Sequence, residues 1–166
     1  ATILAVGSKN HITRISLHES SHAIVAAMFG DTPVWLNEGM AEFFDQMVIT
    51  GEQTYTFSTN DNHLQLLRQS HLPSLRRHFS QSHAEWNNPN NSKLNYAIDW
   101  SLYFYLMINS ERRQFLKYML DRLATNYCQS FDAIIFINNH YSGGLRQLET
   151  GWHSWLRTAP SGTVTF

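Results

Sequence analysis

Helical periodicity governs most of this chain, and glycine, proline and asparagine clusters cut it into segments. Residues 2 to 6 are apolar and β-branched, then interrupted by Gly7 and Ser8, which predicts one short strand, the last of a sheet lying upstream. From about Thr13 the text turns helical. Ile15, Leu17, Ile24, Val25 and Met28 supply apolar positions for a helix wrapped by other elements, ended by Gly30, Asp31 and Pro33. A second helix is expected from Val34 to Val48, with Trp35, Leu36, Met40, Phe43, Phe44 and Met47 on one thick apolar side. Thr54 to Ser58 reads as a strand or extended loop. Asp61 is the expected N-cap of a helix over His63 to Gln69, and Pro73 suits the first turn of a short helix ending near Phe79. Residues 80 to 92 are polar and rich in asparagine, a loop where local mobility is expected. Lys93 to Ile108 is apolar nearly all round, so it should be central. Glu111 to Tyr127, Phe131 to Asn138 and Leu145 to Leu156 read as three more helices, before a tail from Pro160 that is frayed or extended. The class is therefore mainly α, with minor β-strand content near the N-terminus.

Composition narrows the function classes. At 166 residues the chain fits one domain, residues 1–166, with enough length for a real core. Hydrophobic residues make up 43% and aromatics 13%, so it folds rather than staying disordered. The net charge is -1 and the basic residues are spread thinly, which argues against nucleic-acid binding and against a basic membrane-surface helix. No apolar run is long enough to span a bilayer. The only cysteine, Cys128, excludes an internal disulfide and a cysteine-rich metal site, and it has no evident basic partner that would make it a nucleophile. The chain begins at Ala1, which reads as a piece of a longer protein. A periplasmic or secreted setting is expected if a signal peptide has been removed, and a cytoplasmic one otherwise.

One constellation stands out, His18-Glu19-x-x-His22 on the first predicted helix, with Glu38 on the second. Positions i and i+4 share a helix face, so His18 and His22 can aim two imidazole nitrogens at one ion. Glu19 sits about 100° round the helix, beside a metal-bound water rather than on the metal. A catalytic zinc takes three protein ligands and keeps one open position. Fifteen residues separate His22 from Glu38, and the break at residues 30–33 lets the second helix fold back so that Glu38 becomes the third ligand. Gly39 then permits close helix approach, and Glu42, one turn beyond Glu38, can accept the outward N–H of a ligand histidine, His18 being the expected partner. The histidines at 63, 71, 78 and 83 sit in polar text and read as ordinary solvent-exposed side chains. Trp100, Phe104, Trp152 and Trp155 fall at helical spacings and read as core.

Leu17-His18-Glu19-x-x-His22 followed by Pro33-Val34-Trp35-Leu36-Asn37-Glu38-Gly39-Met40-Ala41-Glu42 resembles the gluzincin metallopeptidases, and within them the peptidase-MA-like domains. The W-L-N-E-G-x-A-E segment is also similar to zinc aminopeptidases, and the Glu38/Glu42 spacing to thermolysin, although the interval between His22 and Glu38 is shorter here. A weaker likeness extends through Asn95-Tyr96-Ala97 and Leu148-x-x-x-Trp152-x-x-Trp155. The resemblance implies a zincin-like helical domain, Zn2+ held by His18, His22 and Glu38, and Glu19 as general base in the hydrolysis of a peptide or protein substrate. Glu19 would take a proton from the attacking water and return it to the leaving amine. A donor for the developing oxyanion is also needed, for which Tyr96, His140, Tyr141 and His153 are candidates. Tyr96 is favoured because it opens the central helix just after the asparagine-rich loop. The alternative is a non-catalytic module of a larger protein, keeping zinc for structure or for binding a peptide. Retention of Glu19 favours the enzyme, since a structural site has no use for a free carboxylate there.

Overall fold

The computed structural model describes residues 9–49, 55–127, 129–160 and 163–165. Among them run the helices α1 (Lys9–Phe29), α2 (Val34–Phe44), α3 (Asp61–Gln69), α4 (Leu75–Phe79), α5 (His83–Trp86), α6 (Ser92–Met107), α7 (Ser110–Thr125), α8 (Ala133–His140) and α9 (Gly144–Thr158). The strands β1 (Met47–Ile49), β2 (Tyr55–Ser58) and β3 (Thr163–Thr165) form one antiparallel sheet in that order. The protein is mainly helical with minor β-structure. The strands described lie after α2 and near the C-terminus; the strand expected at residues 2–6, like Cys128, lies outside the described residues.

Helix α6 is the axis of the arrangement. From Ala97 to Leu106 every residue is buried, and α2, α3, α7 and α9 all pack against it. The α2 contact is the tightest. A Cβ on Gly39 would stand 2.5 Å from the Asp99 carbonyl oxygen and 3.2 Å from Tyr103 Cβ, so only glycine allows this crossing. The close approach foreseen at Gly39 is thus made by α6. Phe43 stacks on Phe57 at 4.2 Å and joins Tyr103 and Phe104, which ties β2 to the same core.

Several boundaries differ from the sequence pattern for identifiable reasons. Helix α2 stops at Phe44 rather than Val48, because Met47, Val48 and Ile49 pair with Phe57, Thr56 and Tyr55. The N-cap of α3 is Asn60, whose side chain accepts from the His63 amide; Asp61 becomes the first helical residue, where its charge suits the helix dipole. Ser74 caps α4, leaving Pro73 before it. The polar stretch from 80 to 92 contains α5, started by a full capping box between Ser82 and Glu85. Helix α1 ends where expected, at Gly30 with φ +68. It is not wrapped, however: Ile15, Ile24 and Met28 are exposed, and among the described elements α1 packs chiefly on α2 and α7.

Candidate metal centre

The turn at Gly30 to Pro33 sends α2 back along α1. The contacts run in opposite senses along the two helices, His18 reaching Glu38 and Glu42 while His22 reaches Glu38 and Asn37, the pattern of an antiparallel pair. His18 Nε2 and His22 Nε2 lie 3.1 Å apart, and Glu38 Oε2 lies 3.7 Å and 3.5 Å from them. A point equidistant from these three atoms is about 2.0 Å from each, the range of Zn–N and Zn–O bonds. The three side chains form a group that could hold a metal ion.

The outer atoms of the two imidazoles favour the same arrangement. His22 Nδ1 donates to Asn37 Oδ1 at 3.0 Å, which leaves the Nε2 of a neutral ring as a lone pair. His18 Nδ1 faces Glu42 Oε1 at 3.6 Å, longer than a hydrogen bond but within ion-pair reach. Between the rings the two Nε2 atoms are within hydrogen-bond distance of each other, and with a proton on each Nδ1 both would present lone pairs to a shared space. Glu38 Oε2, also buried there, has no hydrogen-bond partner. Two imidazole nitrogens and an orphaned carboxylate oxygen around one point leave the oxygen unsatisfied by protein alone, and a cation would satisfy all three.

Electrostatics express the same conflict. Burial pushes the Glu38 carboxyl up to about 7; His22 opposes the shift, and the carboxylates of Asp99, Glu42 and Glu19 add to it. Tyr96 is pushed up to about 12 by burial and then by Glu38, Glu42, Asp99 and Glu19. Its phenol therefore remains a proton donor across the physiological range. The ring lies 6.4 Å from that of His18 and makes an edge contact with Trp86 at 4.7 Å. Trp86 is fixed in turn, its indole N–H donating to Asp99 Oδ2 at 2.9 Å and its carbonyl accepting from Asn95. The short helix α5 thus packs against Tyr96 through Trp86.

Glu19 is exposed on α1, next to His18 in the chain, and its charge is felt by both Glu38 and Tyr96. The other candidate oxyanion donors make their contacts elsewhere: His140 on Tyr118 and Phe136, Tyr141 on Phe115, and His153 on Trp152. Trp100, Phe104 and Trp152 are core, as expected, and Trp155 stacks on Phe104. His71 and His83 are exposed, but two other histidines correct the sequence reading. His63 is half-buried and donates to Glu42 Oε2 at 3.1 Å. His78 is buried and pairs with Asp99, beneath α4 and α6. Asn37, which carries no motif signal of its own, directly precedes Glu38, and that adjacency is the signal that could have marked it.

The chain belongs to the family described as Protein of unknown function (DUF1570), whose model matches residues 12–127 and so takes in α1, α2 and α6. No curated protein and no solved structure matches it.

Proposed function

We propose that this member of the DUF1570 family is a zinc-dependent peptidase of gluzincin type. The observation that carries the reading is the buried, unpartnered Glu38 Oε2 facing two imidazole nitrogens at 3.5 and 3.7 Å, with Glu19 and Tyr96 beside them. Zinc suits a set of two nitrogens and one carboxylate oxygen better than magnesium or calcium, which prefer all-oxygen cages. When bound, the ion would supply a Lewis acid that makes its water a nucleophile near neutral pH.

The remaining work falls to the chain itself. His18, His22 and Glu38 hold the ion, with Asn37 and Glu42 behind the two histidines. Glu19, exposed and free of the ligand set, accepts the proton of the attacking water and delivers it to the leaving amine. Tyr96 keeps its proton and donates a hydrogen bond to the oxygen on which negative charge develops. A structural zinc site would close its fourth position with a side chain; among the described residues the His18, His22 and Glu38 group contains no fourth member.

The test is elemental analysis of the purified protein together with digestion of a mixed peptide library, with and without chelator. One zinc per chain and chelator-sensitive cleavage are expected. Glu19→Gln should keep the zinc and lose cleavage by at least about a hundredfold. Full activity in that variant would refute the assignment of the base.

A further inference from the structure

Glu42 lies between two histidines and is hydrogen-bonded by one of them. Its Oε1 faces His18 Nδ1 at 3.6 Å on α1, and its Oε2 accepts from His63 Nε2 at 3.1 Å on α3. Both neutral and protonated imidazole can carry a proton on Nε2, so the second bond does not depend on the charge of His63. His63 is itself firmly held. Its backbone N–H is taken by the Asn60 cap, the adjacent Leu64 is buried, as is Leu67 one turn on, and its ring lies against Trp100 with centroids 5.6 Å apart. A partly buried histidine–carboxylate pair is a poor means of adding stability, since desolvating both groups offsets most of their attraction. What it does supply is direction.

Resting on the reading of His18, His22 and Glu38 as a metal site, we propose that His63 is a positioning residue of that site, acting through Glu42. Alone, the Glu42 side chain has three torsions to populate. Anchoring Oε2 on α3 holds Oε1 opposite His18 Nδ1. The carboxylate there keeps the proton of His18 on Nδ1 and turns its Nε2 lone pair towards the metal position. His63 thereby contributes to metal affinity while touching neither the ion nor a ligand. It also couples α3 to a site otherwise built on α1 and α2.

The test is zinc affinity of the full chain by competition with a chromophoric chelator, alongside the visible spectrum of the cobalt-loaded protein and melting of the metal-free protein. His63→Phe keeps a ring on Trp100 and removes the donor; it should weaken zinc by about tenfold and shift the cobalt bands. His63→Gln can still place an N–H near Glu42 and should stay within about threefold of native, whereas the shorter His63→Asn should resemble His63→Phe. Should His63→Phe fail to fold, the Gln and Asn pair decides alone. Adding His63→Phe to Glu42→Ala should cost nothing further, because both act through one carboxylate. Native affinity in His63→Phe and His63→Asn, or full additivity with Glu42→Ala, overturns the role of His63 and leaves the metal site intact. A native chain that binds no zinc overturns both.

Discussion

Gly39 is the position where sequence, fold and site depend most closely on one atom. Adding a methyl group by Gly39→Ala places Cβ 2.5 Å from the Asp99 carbonyl oxygen, 3.0 Å from its carbon and 3.2 Å from Tyr103 Cβ. Backbone atoms of a buried helix cannot rotate aside, so α2 and α6 must separate by about 0.9 Å to reach an ordinary carbon–oxygen contact. That separation loosens Leu36, Met40 and Phe43, all buried at the same interface. Overpacking of this kind costs about 1–3 kcal/mol, and rigid neighbours put the cost near the upper end. Alanine returns about 1 kcal/mol through its better helix propensity. The net expectation is a loss of about 2 kcal/mol, a fall in Tm of about 4–8 °C for a chain of this size. Chemical denaturation with an unchanged m-value measures it. A glycine-to-alanine exchange at an exposed helical position stabilises, so a Gly39→Ala variant as stable as native or more stable would refute the close α2–α6 contact.

Two further predictions address charge and buried hydrogen bonds. Since the Glu38 carboxyl titrates near 7 without metal, its proton competes with zinc below that pH. From this group alone, apparent affinity should improve about tenfold from pH 6 to pH 8, read by chelator competition, and Glu38→Gln should abolish tight binding. The stability of the metal-free protein runs the other way: a carboxyl pKa raised on folding favours the fold at acid pH, and that contribution is lost as pH rises from about 4.5 through 7. Melts in chelator at pH 5.5 and 8 should show the decline in native protein and less of it in Glu38→Gln; identical profiles would refute the shift. Asp99→Ala should cost about 3–5 kcal/mol in urea denaturation, because it strands the buried donors of His78 and Trp86. A loss below about 1 kcal/mol would show that the His78–Asp99–Trp86 network does not hold α4 and α5 to α6.

The elements that sequence reading located well are those whose signals are local. The 3.6-residue rhythm of Trp35, Leu36, Met40 and Phe43 marks α2, and Gly30 before Pro33 marks the turn that folds it back. Its C-terminal end was misplaced because Met47 and Val48 continue the apolar pattern while pairing as a strand with Phe57 and Thr56, partners that only tertiary structure provides. Capping by Asn60 rather than Asp61 is a one-residue choice between two good caps. Helix α5 is four residues long, too short for periodicity to register, although Ser82 and Glu85 carry its capping box in plain text.

The site divides along the same line. His18, His22, Glu38 and Glu42 are legible because each is spaced by whole helical turns from another, and one reversal of the chain brings the two sets together. Tyr96 opens α6 just after the asparagine-rich stretch, and its ring lies 6.4 Å from that of His18. His63 and His78 were misread because a histidine in polar text carries no sign of its partner, and both partners, Glu42 and Asp99, are 21 residues away. Helix α6 explains the rest. Read as apolar nearly all round, it also buries Asn95, Asp99 and Ser101, and each is satisfied: Asn95 by Trp86 and Gln81, Asp99 by His78 and Trp86, Ser101 by Ile98 and Trp152. Asn95 and Asp99 flank Tyr96 in sequence and fix the tryptophan that walls it, while the Asp99 carbonyl forbids a side chain at Gly39, next to Glu38. The polar residues inside the central helix thus connect Tyr96 to α2, and the same short run of α6 sets both the packing at Gly39 and the wall behind Tyr96.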